Sequence, residues 1–501
     1  MNKPDYDVVV VGGGNAALCA ALSAREEGAS VVLLERAPEA ERGGNSGFAG
    51  GGVRFVYDSQ EEVYELVPDL STTEKAKTDF RTYPQERYFD DMFRVTQYRT
   101  NPDLAEVMIK NSTQAMRWLK NHGVRFLPRY ARQTPDVEGK FHFYSPPTLG
   151  VAGEGRGLVN ALYESARRMG IELRYRANVR SLLYDDDGVH GVVARIDGKT
   201  REIRSSAVVL ACGGFESNVE WRSRYLGNGW DLAKVRGTRF NSGDGIRMGL
   251  DIGAQPYGNW SGAHAVCWDL NAPAFGDIAV GDGFSKFSYP LGIMVNAEGN
   301  RFLDEGADFF HMTYAKYGKA ILAQPGQFAW QIFDSKVLDI LGPLYRIKQM
   351  TKVRADTLEQ LADKLEGVNK PQFLRTVAQF NAAVRKDVPF LQSARDGRST
   401  YGLDIQKTNW AQTISRGPFE AYAVTCGVTF TFGGLKITTG AEVVDTEEST
   451  IPGLYAAGEL VGGIFYFNYP GGSGLVSGTV YGRIAGRNAA RARSRGHLGS
   501  V

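Results

Sequence analysis

The chain has 501 residues, 43% hydrophobic and 23% charged, and 58 basic against 56 acidic side chains leave a net charge of +2. That length exceeds one hydrophobic core, so two or more domains are expected. With no basic block and no apolar run of 18 residues, the composition speaks against nucleic-acid binding and against an integral membrane segment. Four cysteines (Cys19, Cys212, Cys267, Cys426) stand far apart with no CxxC pair. That spacing argues against zinc or iron–sulfur ligation and fits a reducing compartment, so no metal and a cytoplasmic location are expected. Glycine is the outlier: 60 residues, against about 7% in an average chain, gathered in short motifs where backbone approaches a ligand.

In chain order, "YDVVVVGGGNAALCAALSAREEGASVVLLERA" (6–37) reads as strand, glycine turn, helix and strand. The β-branched run predicts a parallel strand covered on both faces. Gly12, Gly14 and Ala17 fill G-x-G-x-x-G/A, for the tight turn, the approach of a pyrophosphate and close helix packing. The pyrophosphate would sit at the helix N-terminus. Glu35 ends the second strand, where an acid binds a ribose 2′-OH and favours FAD or NAD over NADP. A second glycine cluster, "ERGGNSGFAGGGVRF" (41–55), follows at once, as an extended FAD requires. "SSAVVLACGGFESN" (205–218) and "PGLYAAGELVGG" (452–463) repeat the strand-to-glycine junction. One cofactor touched by distant segments accounts for all three. Between them, "TLEQLADKLEGV" and "PQFLRTVAQFNAAVRKDV" have helical apolar spacing and read as structural helices. Last comes "GGIFYFNYPGGSGLVSGTVYGRIAG" (462–486), an aromatic cluster, a glycine turn and a helix.

These pieces resemble the flavoprotein superfamily of fumarate reductase and succinate dehydrogenase over nearly the whole chain. The stretches that carry the resemblance are "RGGNSGFAGGG", "VLACGGF", "NSGDGIRMGLDIGAQ", "GNRFLDEGADFFHMTYAKYGKAIL", "FTFGGLKI" and "PGLYAAGELVGG…NYPGGSGL". Within the superfamily the chain looks most like the tricarballylate dehydrogenase branch, with a local likeness to 3-ketosteroid dehydrogenases at "YPG". The resemblance implies an α/β fold: a Rossmann-like FAD-binding domain in two parts, 1–268 and 424–501, interrupted by an α+β capping domain at 269–423. The active site would lie between them. It also implies cofactor contacts at Gly12, Gly14, Asn15, Ala16, Glu35, Arg36, Gly43, Gly44, Asn45, Ser46, Gly50, Gly51, Val179, Ala211, Cys212, Gly213, Asp244, Gly458, Glu459, Ser473, Gly474 and Leu475. The last three would offer backbone N–H groups to the flavin pyrimidine edge. FAD would be non-covalent, because Asn45-Ser46-Gly47-Phe48-Ala49 offers no histidine for attachment.

The chemistry departs from the family. Where fumarate reductases carry a proton-donating arginine past "RF-x-x-E", this chain has Phe309; their substrate histidine becomes Phe430, beside Thr429, and their carboxylate-clamping arginine becomes Tyr469. Ser285 and Ser288 stand near the places of the proton relay. A site without those cations suits a ketone-type or weakly charged substrate, since an unpaired buried carboxylate is costly. The expected activity is introduction or reduction of a C=C bond α,β to a carbonyl, by hydride transfer between substrate carbon and flavin N5. Tricarballylate-type dehydrogenation and ene reduction are the alternatives. Tyr469 would hold the carbonyl with Gly472 or Ser473; His264 matches a family histidine that lines the substrate pocket and is a catalytic candidate, and His311 and Tyr314 are acid–base candidates. The substrate is a small molecule, and the electron acceptor or donor is left open.

Overall fold

The computed structural model describes residues 4–130 and 136–496. Its main sheet is built on the predicted apolar strands. The first strand, Tyr6–Val11, lies between Val31–Leu34 and Lys199–Leu210, parallel to both, and Glu172–Arg174 and Thr450–Ala456 extend the parallel set on either side. Val8, Val9 and Val10 are fully buried, as a strand covered on both faces requires. An antiparallel hairpin, Ala177–Asp185 with Gly188–Ile196, continues from the far end of Lys199–Leu210.

Two helices cover one face. The glycine-turn helix Asn15–Glu26 lies against the C-terminal helix Ser473–Gly496, the two joined by Asn15 Nδ2 donating to the Leu475 carbonyl (2.8 Å) and to Thr479 Oγ1 (3.0 Å). Their approach depends on side chains that are absent. A Cβ on Gly482 would stand 2.4 Å from the Ala16 carbonyl oxygen, and one on Gly486 2.0 Å from that of Ala20. Backbones this close bring the last helix of the chain onto the first.

A second, six-stranded sheet centres on two long antiparallel strands, Pro256–Asp269 and Phe419–Leu435. The expected cap, 269–423, starts and stops inside this pair. Phe328–Phe333 and Lys352–Ala355 add to Phe419–Leu435, and the two expected helices appear at Leu358–Lys364 and Lys370–Ala383. Phe373, Val377 and Phe380 of the longer one pack with Ile293, Ile332 and Ala421 in a core of their own. The architecture is thus a Rossmann-like α/β unit with a smaller α+β unit inserted. Among the described residues, no helix is long and apolar enough to cross a membrane.

The glycine turn at 471–472 is held by a buried cation. Arg54 is inaccessible to water; its guanidinium donates to the carbonyls of Gly471 (2.8 Å) and Pro146 (2.8 Å), to the Tyr83 hydroxyl (2.6 Å) and to Asp91 (3.1 Å). Its backbone N–H takes the Gly472 carbonyl (3.2 Å). Removing one partner of such a cluster leaves the others buried and unpaired, at a cost of about 3–5 kcal/mol. Arg54→Met, which keeps the volume, is expected to lower the thermal unfolding midpoint sharply and to reduce flavin content. A variant with wild-type melting would show that the turn is held by its other contacts.

Candidate active site

One elongated cavity runs from the C-terminal ends of the parallel strands to the second sheet. At its first end, Glu35 is buried at the end of its strand, with Oε1 accepting the Ala37 N–H at 2.7 Å. Burial pushes its carboxyl up to about 7, against the N–H groups of Ala37, Gly43 and Arg36. Arg36 Nη1 pairs with Asp244 (2.6 Å) and bonds Ser242 Oγ (2.5 Å), and Val179 lies beside them on the cavity wall.

Further along, the wall is mostly backbone: Gly12, Gly14, Ala16, Gly44, Gly50, Gly51, Ala211, Cys212 and Gly213 all line it. A Cβ on Gly14 would meet nothing nearer than Ser46 Oγ at 3.4 Å, and one on Gly44 nothing nearer than 3.8 Å. The space beside these glycines is therefore cavity. Ser46 Oγ accepts the Asn15 N–H (3.0 Å), bracing the second glycine cluster on the first. Beyond them Gly458 and Glu459 line the wall, with Glu459 accepting the Thr431 N–H at 2.9 Å. Glu216, which the sequence reading passed over, lies beside it, fully buried. Asn241 bridges the two carboxyls (2.8 and 3.3 Å), and Asn45 Nδ2 adds a bond to Glu216 (2.5 Å). Burial, then the charge of Glu459, drive the Glu216 carboxyl well up, so Glu216 holds a proton. A buried acid ready for ribose hydroxyls and a bare glycine passage match an extended dinucleotide, and the residues fit FAD.

At the other end the glycine turn meets the second sheet. Gly472 and Leu475 line the wall; a Cβ on Gly474 would point into the cavity, 3.7 Å from the Tyr469 ring and 3.8 Å from that of Phe430. Tyr469 and Tyr314 join hydroxyl to hydroxyl in a short hydrogen bond. Burial raises both phenols; the bond from Tyr314 and the Arg236 charge partly offset this at Tyr469, whereas Tyr469 pushes Tyr314 further up. Both keep their protons at neutral pH, and either hydroxyl can be the donor within the pair. His264 and Phe430 face each other across the two long strands and stack at 5.0 Å. His264 sits edge-on to both tyrosines at 4.8 Å, behind the wall rather than on it. Neither of its ring nitrogens has a hydrogen-bond partner among the described residues, and burial followed by Arg236 holds it neutral. His311 is on the wall, with Nε2 on Ser145 Oγ at 2.7 Å. Burial and four arginines, Arg54 first, keep its pKa well down, so it serves as a neutral polar group and a poor base.

The expectation of a site without a fixed cation is corrected here. Arg236 lines the cavity with its guanidinium on Asp282 (2.7 and 2.9 Å), Ser285 Oγ (3.1 Å) and Thr429 Oγ1 (3.1 Å). Burial opposes its charge, and Asp282 with Tyr314 and Tyr469 more than offsets that. No motif joins residues 236 and 282; only the fold does. The pair carries no net charge, which preserves the weakly charged character inferred from Phe430 and Tyr469. Three expected residues stand off this cavity besides His264. Gly43 packs on Val159, Ser473 Oγ accepts the Tyr88 hydroxyl (2.9 Å), and Phe309 stacks on Tyr144 at 4.5 Å in a neighbouring cavity.

Residues 7–476 match the family model described as FAD binding domain. The chain is 30% identical over 490 residues to a probable fumarate reductase of Shewanella frigidimarina (strain NCIMB 400), covering 94% of this chain and 73% of that protein. It is 27% identical over 562 residues to a 3-oxosteroid 1-dehydrogenase of Mycolicibacterium smegmatis, covering 95% of each. The solved open conformation of a flavocytochrome c3 fumarate reductase superposes with a TM-score of 0.70 at 26% identity, over 98% of this chain and 79% of that one.

Glu35 supplies a pH test. A ribose hydroxyl donates to the ionised carboxylate, so binding should pull its pKa below the value near 7 of the free protein. FAD affinity is then full above pH 7 and weakens about tenfold per unit as pH falls below it. Flavin fluorescence titrations from pH 5.5 to 8 measure this, and Glu35→Gln should give a weaker, flat profile. An equally steep profile in the mutant would remove Glu35 as its origin.

Proposed function

We propose, from the premise that the chain belongs to the FAD binding domain family, that it introduces or reduces a C=C bond next to the carbonyl of a ketone-type, weakly charged substrate. As an FAD-dependent oxidoreductase of CH–CH groups it works on a small molecule. FAD would be held without a covalent bond by the Glu35–Glu459 cavity, and it supplies the hydride acceptor or donor. The observation that carries the reading is the Tyr314–Tyr469 phenol pair facing the cavity beside a charge-neutral Arg236–Asp282 pair, among aromatic rings.

The residues act as follows. Tyr314 donates to the Tyr469 oxygen, which frees the Tyr469 proton to donate to the substrate carbonyl. The Gly472 N–H and the Arg236 charge both favour negative charge on that phenol. As an enolate develops, the proton of Tyr469 strengthens its hold, and Tyr314 and Arg236 stabilise what remains. Phe430 and Phe465 wall the site and exclude water from it. The same arrangement serves either direction: the enolate forms by loss of the α-proton to a base in dehydrogenation, and by addition of hydride at the β-carbon in reduction, after which the α-carbon takes up a proton. A polycarboxylate is disfavoured: Arg36 and Arg236 each carry their own carboxylate, and Arg129 Nη1 donates to the Gly50 carbonyl. Four scattered thiols, none joined to another, suit a cytoplasmic setting.

Anaerobic mixing with a panel of saturated ketones and polycarboxylates tests the function. Ketones should bleach the flavin and tricarballylate should leave it yellow; the reverse pattern would overturn the reading. Tyr469→Phe should slow that reduction by about 100- to 1000-fold, as loss of a preorganised donor does. Flavin content and melting temperature should hold. Tyr314→Phe, which removes only the supporting bond, should cost about tenfold. Unchanged reduction in the Tyr469 variant would leave its ring as a wall alone.

A further inference from the structure

A second cavity of about 400 Å³ adjoins the first and shares two wall residues with it, Phe287 and Phe310. These rings stack 5.6 Å apart at 12° and stand between the two spaces. The floor is apolar: Leu291, Leu341 and Leu344 are buried, and Trp410 and Tyr144 flank Phe309 at 5.4 and 4.5 Å. The polar groups on its wall are mostly engaged: Arg346 Nη2 donates to the Asp339 carbonyl (3.0 Å), and the buried Tyr345 hydroxyl accepts the Ser288 N–H (2.9 Å) and donates to Gln331 Oε1 (2.5 Å). Tyr144 differs. The Tyr144 hydroxyl has no hydrogen-bond partner among the described residues, and burial alone pushes its pKa up.

We propose that this cavity binds the body of the substrate, an aromatic ring system bearing a neutral hydrogen-bonding substituent that meets the Tyr144 hydroxyl. The assignment rests on the function proposed above, with the carbonyl head at Tyr469. Three observations fit this occupant. The volume is that of a small-molecule site, not of a peptide. Walls offering ring faces and edges favour an aromatic guest over an aliphatic chain. A half-buried phenol with no partner among the described residues takes an acceptor or donor but no charge. The half-buried Phe310 is the ring whose rotation would join the two spaces, so that head and body bind as one molecule.

The test uses the holoenzyme and 2-naphthol, a non-reacting probe, with binding read from its fluorescence. Ile340→Trp fills the cavity from an exposed rim position, and Gln392→Trp does so from another side should the first variant fold poorly. Wild type should bind 2-naphthol at least tenfold more tightly than either variant. In flavin reduction, 4-phenylbutan-2-one should have a KM at least tenfold below that of butan-2-one. Each variant should erase that advantage while leaving butan-2-one, flavin content and melting unchanged. Equal naphthol binding in wild type and variants overturns the proposal, as does a variant that harms both ketones alike. If neither ketone bleaches the flavin, the function fails, and the naphthol result still decides the cavity.

Discussion

A guanidinium shut away from water is the constraint on which the catalytic end depends. Arg54 comes from the second glycine cluster, its acceptors from the stretches around residues 83, 91, 146 and 471. A buried cation tolerates no loose partner, so these four segments are fixed relative to one another. The carbonyls of Gly471 and Gly472 are thereby turned toward Arg54, and Tyr469 on one side and Gly474 on the other are turned toward the cavity. His311 is tied into the same unit, since its carbonyl accepts the Gly471 N–H at 2.8 Å. Position at the reacting centre is set by hydrogen bonds made behind it.

The electrostatics follow a consistent plan. Charges near the cavity occur in compensated sets: Arg36 with Asp244, Arg236 with Asp282, a protonated Glu216 beside Glu459. His311 on the wall and His264 behind it are both held neutral by burial and neighbouring arginines. Such a site has strong local dipoles and little net field. It can stabilise charge that appears during a reaction without holding a permanently charged ligand.

The cofactor end of the site was legible in the sequence because its parts are local. A tight turn, a bare backbone passage and an acid at a strand end each leave a signature within a dozen residues. The superfamily and the α/β class followed from the same stretches, and Tyr469 and Phe430 from their places beside glycine motifs. Arg236, Asp282, Glu216 and Arg54 left no such trace. Each acts through a partner brought close only by strand pairing or by a turn in space, and an isolated arginine in "VRGTRF" reads as surface. Phe309 shows the limit of locality: its motif position leaves open that the ring turns to Tyr144 and Trp410 in the neighbouring cavity.

The packing of the last helix on the first also has a consequence in time. A ribosome releases Asn15–Glu26 early, with Ala16 and Ala20 ready for a partner that arrives only with Gly482 and Gly486. The strand Thr450–Ala456 must also emerge before the edge of Lys199–Leu210 is covered. Contacts separated by more than 450 residues close late, and loop closure over that span slows assembly. Until Thr450–Ala456 and Ser473–Gly496 have emerged, the nucleotide-binding half exposes an unpaired strand edge and an apolar helix face. Closure of the nucleotide-binding half therefore waits for the helix Ser473–Gly496.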